Sequence, residues 1–128
     1  MPSTDMYAGI YVKNVPKTAN LFRKALGAKA RSLQPNMIEL RVGSGRLLLN
    51  ERDMSPKDST ATEPAKELEL GVWVEDVDEV YDKVTDMVED ETTPPISYIS
   101  EVEEKQSGIK DFRFKLADGY YVRVTGDA

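Results

Sequence analysis

The side chains that could do chemistry in this chain are carboxylates, amines, tyrosines and hydroxyls, because the sequence contains no histidine and no cysteine. Histidine is the commonest general base and a common transition-metal ligand, so both of its roles are missing. A bound metal would need oxygen ligands, which favours hard cations over zinc. The lack of cysteine excludes disulfides and thiolate chemistry. Any catalysis must therefore use carboxylates, lysine, tyrosine, serine or threonine.

Charged and aromatic residues alternate with apolar ones on several segments. Glu69 and Trp73 alternate with valine and leucine, and Tyr121 and Arg123 alternate with valine. Strict alternation predicts strands with one apolar face and one mixed face. A face that combines aromatic rings, glycine and charge packs poorly in a core but suits the lining of a pocket.

An internal repeat indicates how these strands are organised. Residues 9–16 (GIYVKNVP) return 62 positions later as residues 71–78 (GVWVEDVD). Each copy is an alternating strand that ends at a helix-capping residue, Asn14 or Asp76. A period near half the chain predicts two similar units, with a site expected between the halves.

Each half is predicted to be a βαβββ unit. The first unit, 6–51, has a helix that begins after Asn14 and ends at Gly27; the second, 67–125, has a helix that begins after Asp76. Residues 52–66 are rich in Ser, Thr, Pro and charge and are predicted to form a linker. The predicted strands are 6–12, 30–33, 37–42 and 46–51, followed by 68–74, 96–102, 109–116 and 120–125.

Composition restricts the classes of function. The 128 residues are 40% apolar and 31% charged, as in ordinary globular domains, and the net charge of −6 argues against nucleic-acid binding. The acidity weakly favours neutral or cationic ligands, although it also serves solubility. No apolar run approaches the ~20 residues of a membrane span, and residues 1–5 lack a basic signal-peptide start. We therefore expect a cytoplasmic protein.

Three motifs, in order and spacing, resemble the vicinal-oxygen-chelate superfamily of glyoxalase I, extradiol dioxygenases, and fosfomycin- and bleomycin-resistance proteins. They are residues 11–18 (YVKNVPKT) with the Leu-Phe and Leu-Gly pairs that follow, residues 73–78 (WVEDVD), and residues 112–119 (FRFKLADG). The resemblance implies an α+β fold, with two tandem βαβββ units in one domain, 1–128. The units would form a cupped sheet with helices on its convex side and the ligand on its concave face. It also implies a homodimer.

The resemblance also locates the metal ligands of metal-binding members, and this chain departs from them. The equivalent positions hold Tyr7, Glu69 and Arg123, with a fourth near Leu49 or Glu51. Of the first three, only Glu69 is a good ligand, and an arginine repels a cation because it stays protonated and offers no lone pair. We therefore expect no metal and no cofactor, as in the bleomycin-resistance branch. Glu69 and Arg123 are candidates for a mutual salt bridge or for ligand contacts.

Three functions follow as hypotheses. The first is metal-free binding of a small organic molecule, possible sequestration of an antibiotic or toxic metabolite, and no catalysis. Its candidate ligand-binding residues are Tyr7, Tyr11, Glu39, Glu69, Trp73, Tyr98, Tyr121 and Arg123. The second is a metal-independent lyase or isomerase with Glu69 as base and Arg123 or Tyr121 stabilising an enolate. The third is a regulatory or protein-interaction domain that uses the acidic segment 101–104.

Overall fold

The computed structural model describes residues 6–52, 69–91 and 94–128. The chain divides into two compact units, Met1–Ser59 and Thr60–Ala128, and each is α+β, with one helix on a mixed sheet. The predicted α+β class with two βαβββ units is confirmed. The prediction that all 128 residues form a single domain stays a prediction.

The first unit has four strands and one helix. Its strand order is β1-β4-β3-β2, with β1 parallel to β4 and the other neighbours antiparallel. The elements are β1 Ala8–Val12, α1 Val15–Leu26, β2 Lys29–Gln34, β3 Met37–Val42 and β4 Gly45–Glu51.

Helix α1 begins and ends at the predicted residues. Asn14 Oδ1 accepts a hydrogen bond from the Lys17 backbone N at 3.0 Å, which caps the helix, and Pro16 occupies its first turn. Gly27 ends the helix at φ 67°, a left-handed conformation that glycine adopts without strain. The apolar stripe of α1, which includes Leu21 and Phe22, is buried on the same side as Ile10, Leu40 and Leu49 of the sheet.

The second unit repeats this arrangement. The order β5-β9-β8-β6 matches β1-β4-β3-β2, again with the first strand parallel to its neighbour, and a short β7 pairs with β8. The elements are β5 Glu69–Trp73, α2 Val77–Asp90, β6 Ile96–Ile99, β7 Glu103–Glu104, β8 Ile109–Leu116 and β9 Tyr121–Asp127.

The predicted strand 96–102 is wrong in its second half, because β6 ends at Ile99. The backbone N of Ser100 donates to the carbonyl of Arg113, but the Arg113 N donates to the Ser100 Oγ, both at 2.8 Å. A side-chain oxygen thus replaces the backbone carbonyl that a continued ladder needs. Pairing with β8 resumes only at Glu103. Leu68, predicted to lie in the fifth strand, is outside the described residues.

Helix α2 packs on β8 and β9 through an apolar stripe that includes Val80 and Val84. Its cap is the predicted one, because Asp76 Oδ1 accepts from the Glu79 N at 3.0 Å. The edge of the Tyr81 ring meets the Phe112 ring at a centroid distance of 5.2 Å. This packing buries one face of the second sheet and leaves the other face for polar side chains. Among the described residues, no helix is long and apolar enough to cross a membrane.

Candidate functional site

The mixed face of the second sheet gathers charged and aromatic residues from five strands. We call the side turned away from α2 the second polar face; its middle strands, β9 and β8, carry Tyr121, Arg123, Asp111, Arg113 and Lys115. The register of β5, β9 and β8 places Glu69 beside Tyr121 and Lys115 in one row. The next row is Gly71, Arg123 and Arg113. Because opposite residues in neighbouring strands share a face, these side chains project to the same side.

Two ion pairs cross this face, and they are not the pair considered from sequence. Arg113 Nε donates to Glu69 Oε2 at 2.6 Å. Arg123 donates to Asp111 Oδ2 from Nε at 2.8 Å and from Nη2 at 2.5 Å. A Glu69–Arg123 salt bridge is therefore wrong. Strand β8 supplies one partner of each ion pair, Arg113 for Glu69 and Asp111 for Arg123. The position of β8 beside β9 is known only from the folded structure.

Asp111 is a buried carboxylate that interacts with two cations on the second polar face. Its side chain is 3% exposed, yet it lies near two cations, because Lys105 Nζ is 3.8 Å from Oδ1 while Arg123 bonds Oδ2. Lys105 also donates to Glu103 at 2.7 Å, and this bond raises the pKa of the lysine. The hydrogen bond to Glu69 likewise raises the pKa of Arg113. These hydrogen bonds favour the charged forms of Lys105 and Arg113 and hold the carboxylates in place.

An open cleft of about 600 Å³ lies on the second polar face, within the size range of small-molecule sites. Tyr98 stands at it with 53% of its surface exposed. Tyr121 is half-buried. Lys115 Nζ lies 5.4 Å from the centroid of the Tyr121 ring and covers one side of that ring. The cleft is lined by Glu69, Tyr98, Ser100, Glu101, Glu103, Asp111, Arg113 and Tyr121.

The structure brings together only part of the predicted set. Glu69, Tyr98 and Tyr121 line the cleft, whereas Trp73 and Arg123 share the second polar face without lining it. The remaining candidates, Tyr7, Tyr11 and Glu39, belong to the first unit. Whether any of these residues binds a ligand stays a prediction.

Sequence reasoning did not select five of the lining residues, namely Ser100, Glu101, Glu103, Asp111 and Arg113. The alternation of Asp111 and Arg113 with Phe112 and Phe114 was a usable signal, because it predicts which side chains of β8 share a face. The acidic character of residues 101–104 is visible in the sequence, but no pattern places this segment beside β8.

Comparison with known proteins supports the assignment of the fold. No family model matches the sequence, and no curated protein matches it. Among solved structures, the hypothetical protein SA1046 from S. aureus matches with a TM-score of 0.72 and 23% identity, over 98% of this chain and 95% of that one. Lactoylglutathione lyase from Agrobacterium tumefaciens matches with a TM-score of 0.67 and 17% identity, over 98% and 94%.

A third match is a bleomycin-binding protein complexed with bleomycin, with a TM-score of 0.62 and 16% identity, over 98% of this chain and 100% of that one. These likenesses span nearly the whole of each chain. The chain has the vicinal-oxygen-chelate fold. The predicted resemblance is thereby confirmed at the level of the fold.

The residues at two of the metal-ligand positions that the resemblance implies, Glu69 and Arg123, do not fit a cation. Glu69 Oε2 is bonded by a guanidinium at 2.6 Å, and Arg123 adds a second fixed positive charge to the same face. Among residues 6–52, 69–91 and 94–128, no three His, Cys, Asp or Glu side chains are grouped to hold a metal ion.

The fourth predicted ligand position in the vicinal-oxygen-chelate scheme needs correction. Leu49 pairs with Ile10 and Glu51 pairs with Val12, so both belong to the side of the first sheet that faces α1. The residues opposite Gly9 and Tyr11 are Leu48 and Asn50. A displacement of one residue moves a side chain to the other face of a strand. Neither replacement supplies a carboxylate.

Proposed function

We propose that this chain binds a small organic molecule, without a metal, in the cleft of the second polar face. The observation that carries the proposal is the composition of that cleft, in which an exposed tyrosine stands beside an ordered network of ion pairs. Small-molecule sites typically combine aromatic surface with a few fixed polar groups. The Arg113–Glu69 and Arg123–Asp111 pairs hold such groups in place.

The lining favours a cationic or amine-bearing ligand. Four carboxylates and one guanidinium line the cleft, so negative charge is in excess there. Glu101 accepts no side-chain ion pair among the described contacts, whereas Glu69 is bonded to Arg113. Tyr98 offers an exposed ring on which a cation or a flat aromatic group can stack. A cationic aromatic molecule satisfies both features.

One structural neighbour supports binding of this kind by the fold, since it is a bleomycin-binding protein complexed with bleomycin. At 16% identity the neighbour supports the fold and not the ligand. Sequestration of an antibiotic or toxic metabolite is therefore a refinement of our proposal. Homodimerisation and a cytoplasmic location stay predictions; sizing chromatography tests the first.

No observation favours Glu69 as a general base. Its Oε2 is held at 2.6 Å by Arg113, so the carboxylate is engaged in positioning the guanidinium. A base must be free to accept a proton from the substrate in a plausible pose. The contacts thus favour binding over metal-independent catalysis.

The test is isothermal titration calorimetry in the presence of EDTA, with bleomycin and with N-methylquinolinium as a simple cationic aromatic probe. We expect saturable binding of the cation and at least tenfold weaker binding of neutral quinoline, because the charge excess contributes only to the cation. Tyr98→Ala should weaken binding about tenfold, and Glu101→Gln about threefold.

Glu89→Gln is the matched control for Glu101→Gln. Glu89 is an exposed glutamate on α2, and its substitution changes the net charge equally. An unchanged affinity in Tyr98→Ala would place the ligand elsewhere, and loss of binding in EDTA would show a metal requirement. Failure of both probes to bind, with capture of a protein partner, would favour an interaction domain.

A further inference from the structure

The first sheet carries a row of positive charges across three strands. The register places Lys29 of β2 opposite Arg41 of β3, and Arg41 opposite Arg46 of β4. All three side chains project to the side turned away from α1, which we call the first polar face. Like charges directly opposite each other in a sheet are destabilising. Three in succession therefore concentrate positive charge on this face of the sheet.

Protection of a sheet edge explains part of this row. Lysine and arginine on an edge strand discourage pairing with other chains, and β2 is an edge strand that is exposed along its whole length. That account covers Lys29 and Arg31. It does not cover Arg41 and Arg46, which lie on the inner strands β3 and β4.

A single carboxylate orients two of the guanidinium groups. Arg41 Nε donates to Glu39 Oε1 at 3.2 Å, and Arg31 Nη2 donates to Glu39 Oε2 at 3.4 Å. The Glu39 side chain is 12% exposed, whereas Arg31 and Arg41 are 65% and 49% exposed. A guanidinium has five N–H donors, and Glu39 uses few of them. Glu39 therefore holds both guanidinium groups in position, and their remaining N–H donors are exposed at the surface.

These residues surround a depression of about 240 Å³, lined by Lys29, Ala30, Arg31, Glu39 and Arg41. That volume is below the usual range for a whole drug-sized ligand, so it suits one compact group of a molecule. The lining contains three cations and one carboxylate, so its formal charge is +2. A phosphate monoester carries about −1.5 to −2 at pH 7, which matches this charge.

We propose that this depression on the first polar face binds the phosphate group of a small phosphate monoester. Arginine forks match phosphate oxygens in bidentate geometry, and the Lys29 ammonium adds a point charge. A carboxylate ligand would neutralise only half of the local charge. The overall charge of −6 disfavours a polyanion such as nucleic acid, so recognition is confined to one phosphate group. This site belongs to the first unit, whereas the cleft belongs to the second.

The experiment is a ¹H–¹⁵N NMR titration of the full chain at constant ionic strength with inorganic phosphate, phenyl phosphate and benzoate. We expect saturable shifts confined to amides of residues 29–31 and 39–41, with a dissociation constant of about 1 mM for phosphate. Phenyl phosphate should bind at least as well, and benzoate about tenfold more weakly. Arg41→Gln and Arg31→Gln should each weaken phosphate binding about fivefold.

Arg23→Gln is the matched control, because Arg23 is an exposed arginine of α1 and its loss changes the net charge equally. Equal weakening by Arg23→Gln, shifts spread over the whole surface, or equal affinity for benzoate would overturn the phosphate site. Tyr98→Ala should leave phosphate binding unchanged. Failure of the cleft and failure of this site are therefore distinguishable.

Discussion

The polar faces of the two sheets have the same strand order but carry side chains of different charge. In the first sheet, Gly9 lies opposite Leu48, and a nearly buried glutamate is surrounded by exposed cations. In the second sheet, Gly71 lies opposite Arg123, and that arginine bonds a buried aspartate that lines a carboxylate-rich cleft. Equivalent positions in one strand order thus produce a cationic depression in one unit and an acidic cleft in the other.

The difference shows which part of a duplicated unit is free to diverge. The apolar sides of the first strands stay alike in residue type, since Ile10 and Val12 correspond to Val72 and Val74. Polar faces are not constrained by core packing, so their side chains can change while the strand pairing is kept. Substitutions at matched positions of the two units should therefore have unequal effects.

Gly126→Ala tests the tightest contact of the second unit. A Cβ at Gly126 would lie 2.6 Å from the Val74 carbonyl oxygen and 2.9 Å from Val77 Cγ2, so backbone would have to move. We expect a loss of about 3 kcal/mol in the free energy of unfolding. Urea unfolding followed by fluorescence of Trp73, the single tryptophan, measures it.

Gly71→Ala is the control for that substitution, because a Cβ there meets nothing within 4 Å. It should change stability by less than about 0.5 kcal/mol. The position equivalent to Gly126 in the first unit holds Glu51, which is half-buried, so the close approach is particular to the second unit. Equal stability of the two alanine variants would contradict that contrast.

Asp111→Ala and Glu39→Ala compare the central carboxylates of the two faces. Asp111→Ala should cost about 2 kcal/mol, because it leaves the half-buried Arg123 without its partner. Glu39→Ala should cost less than about 1 kcal/mol, because its arginines are largely exposed to water. Urea unfolding monitored by circular dichroism measures both variants, and equal costs would show that burial does not separate the two networks.

An exchange of capping residues tests the electrostatics of the two helices. Helix α1 has no acidic residue in its first turn, whereas α2 has Asp78 and Glu79. Asn14→Asp should therefore stabilise the chain by about 0.5 kcal/mol through the helix dipole. Asp76→Asn should change little, since it keeps a capping oxygen and relieves repulsion. Urea unfolding in low salt and in 1 M NaCl tests this explanation, because the gain in free energy of unfolding from Asn14→Asp should disappear in high salt.

Alkaline titration should reveal one ion pair of the second unit. Lys110 Nζ donates to Asp78 at 2.6 Å, and this bond raises the pKa of the lysine above 10.5. A raised folded pKa means that the stabilisation is complete below pH 10.5 and is lost as pH rises through the folded value. The Tm difference between the wild type and Lys110→Gln should stay constant from about pH 7 to 10 and shrink above about 10.5.

A Tm difference that persisted unchanged well above pH 10.5 would show that the charge of Lys110 does not stabilise the fold. The arginine pairs on Glu39 in the first unit should not titrate in the same range, because arginine stays protonated. Lys105→Gln serves as a separate comparison, since the pKa of Lys105 is raised by its own bond to Glu103.

Much of the fold followed from local patterns, and much of the site did not. The caps Asn14 and Asp76 and the stop at Gly27 were readable because capping depends on neighbours within four residues. The end of β6 was missed, because it depends on Ser100 bonding Arg113, thirteen residues away. The sequence did not show that Leu49 and Glu51 lie on the side of the sheet that faces α1, because the register of β4 with β1 was unknown.

The helix caps, the duplication and the lack of histidine and cysteine can be read from residue types and short-range spacing. Strand alternation likewise predicts which residues can share a face. The ion-pair partners depend on the folded chain, which places Asp111 and Arg113 of β8 beside Arg123 and Glu69. Ion pairs form over a few ångströms between residues distant in sequence, so their partners depend on strand order and register, which no local pattern encodes.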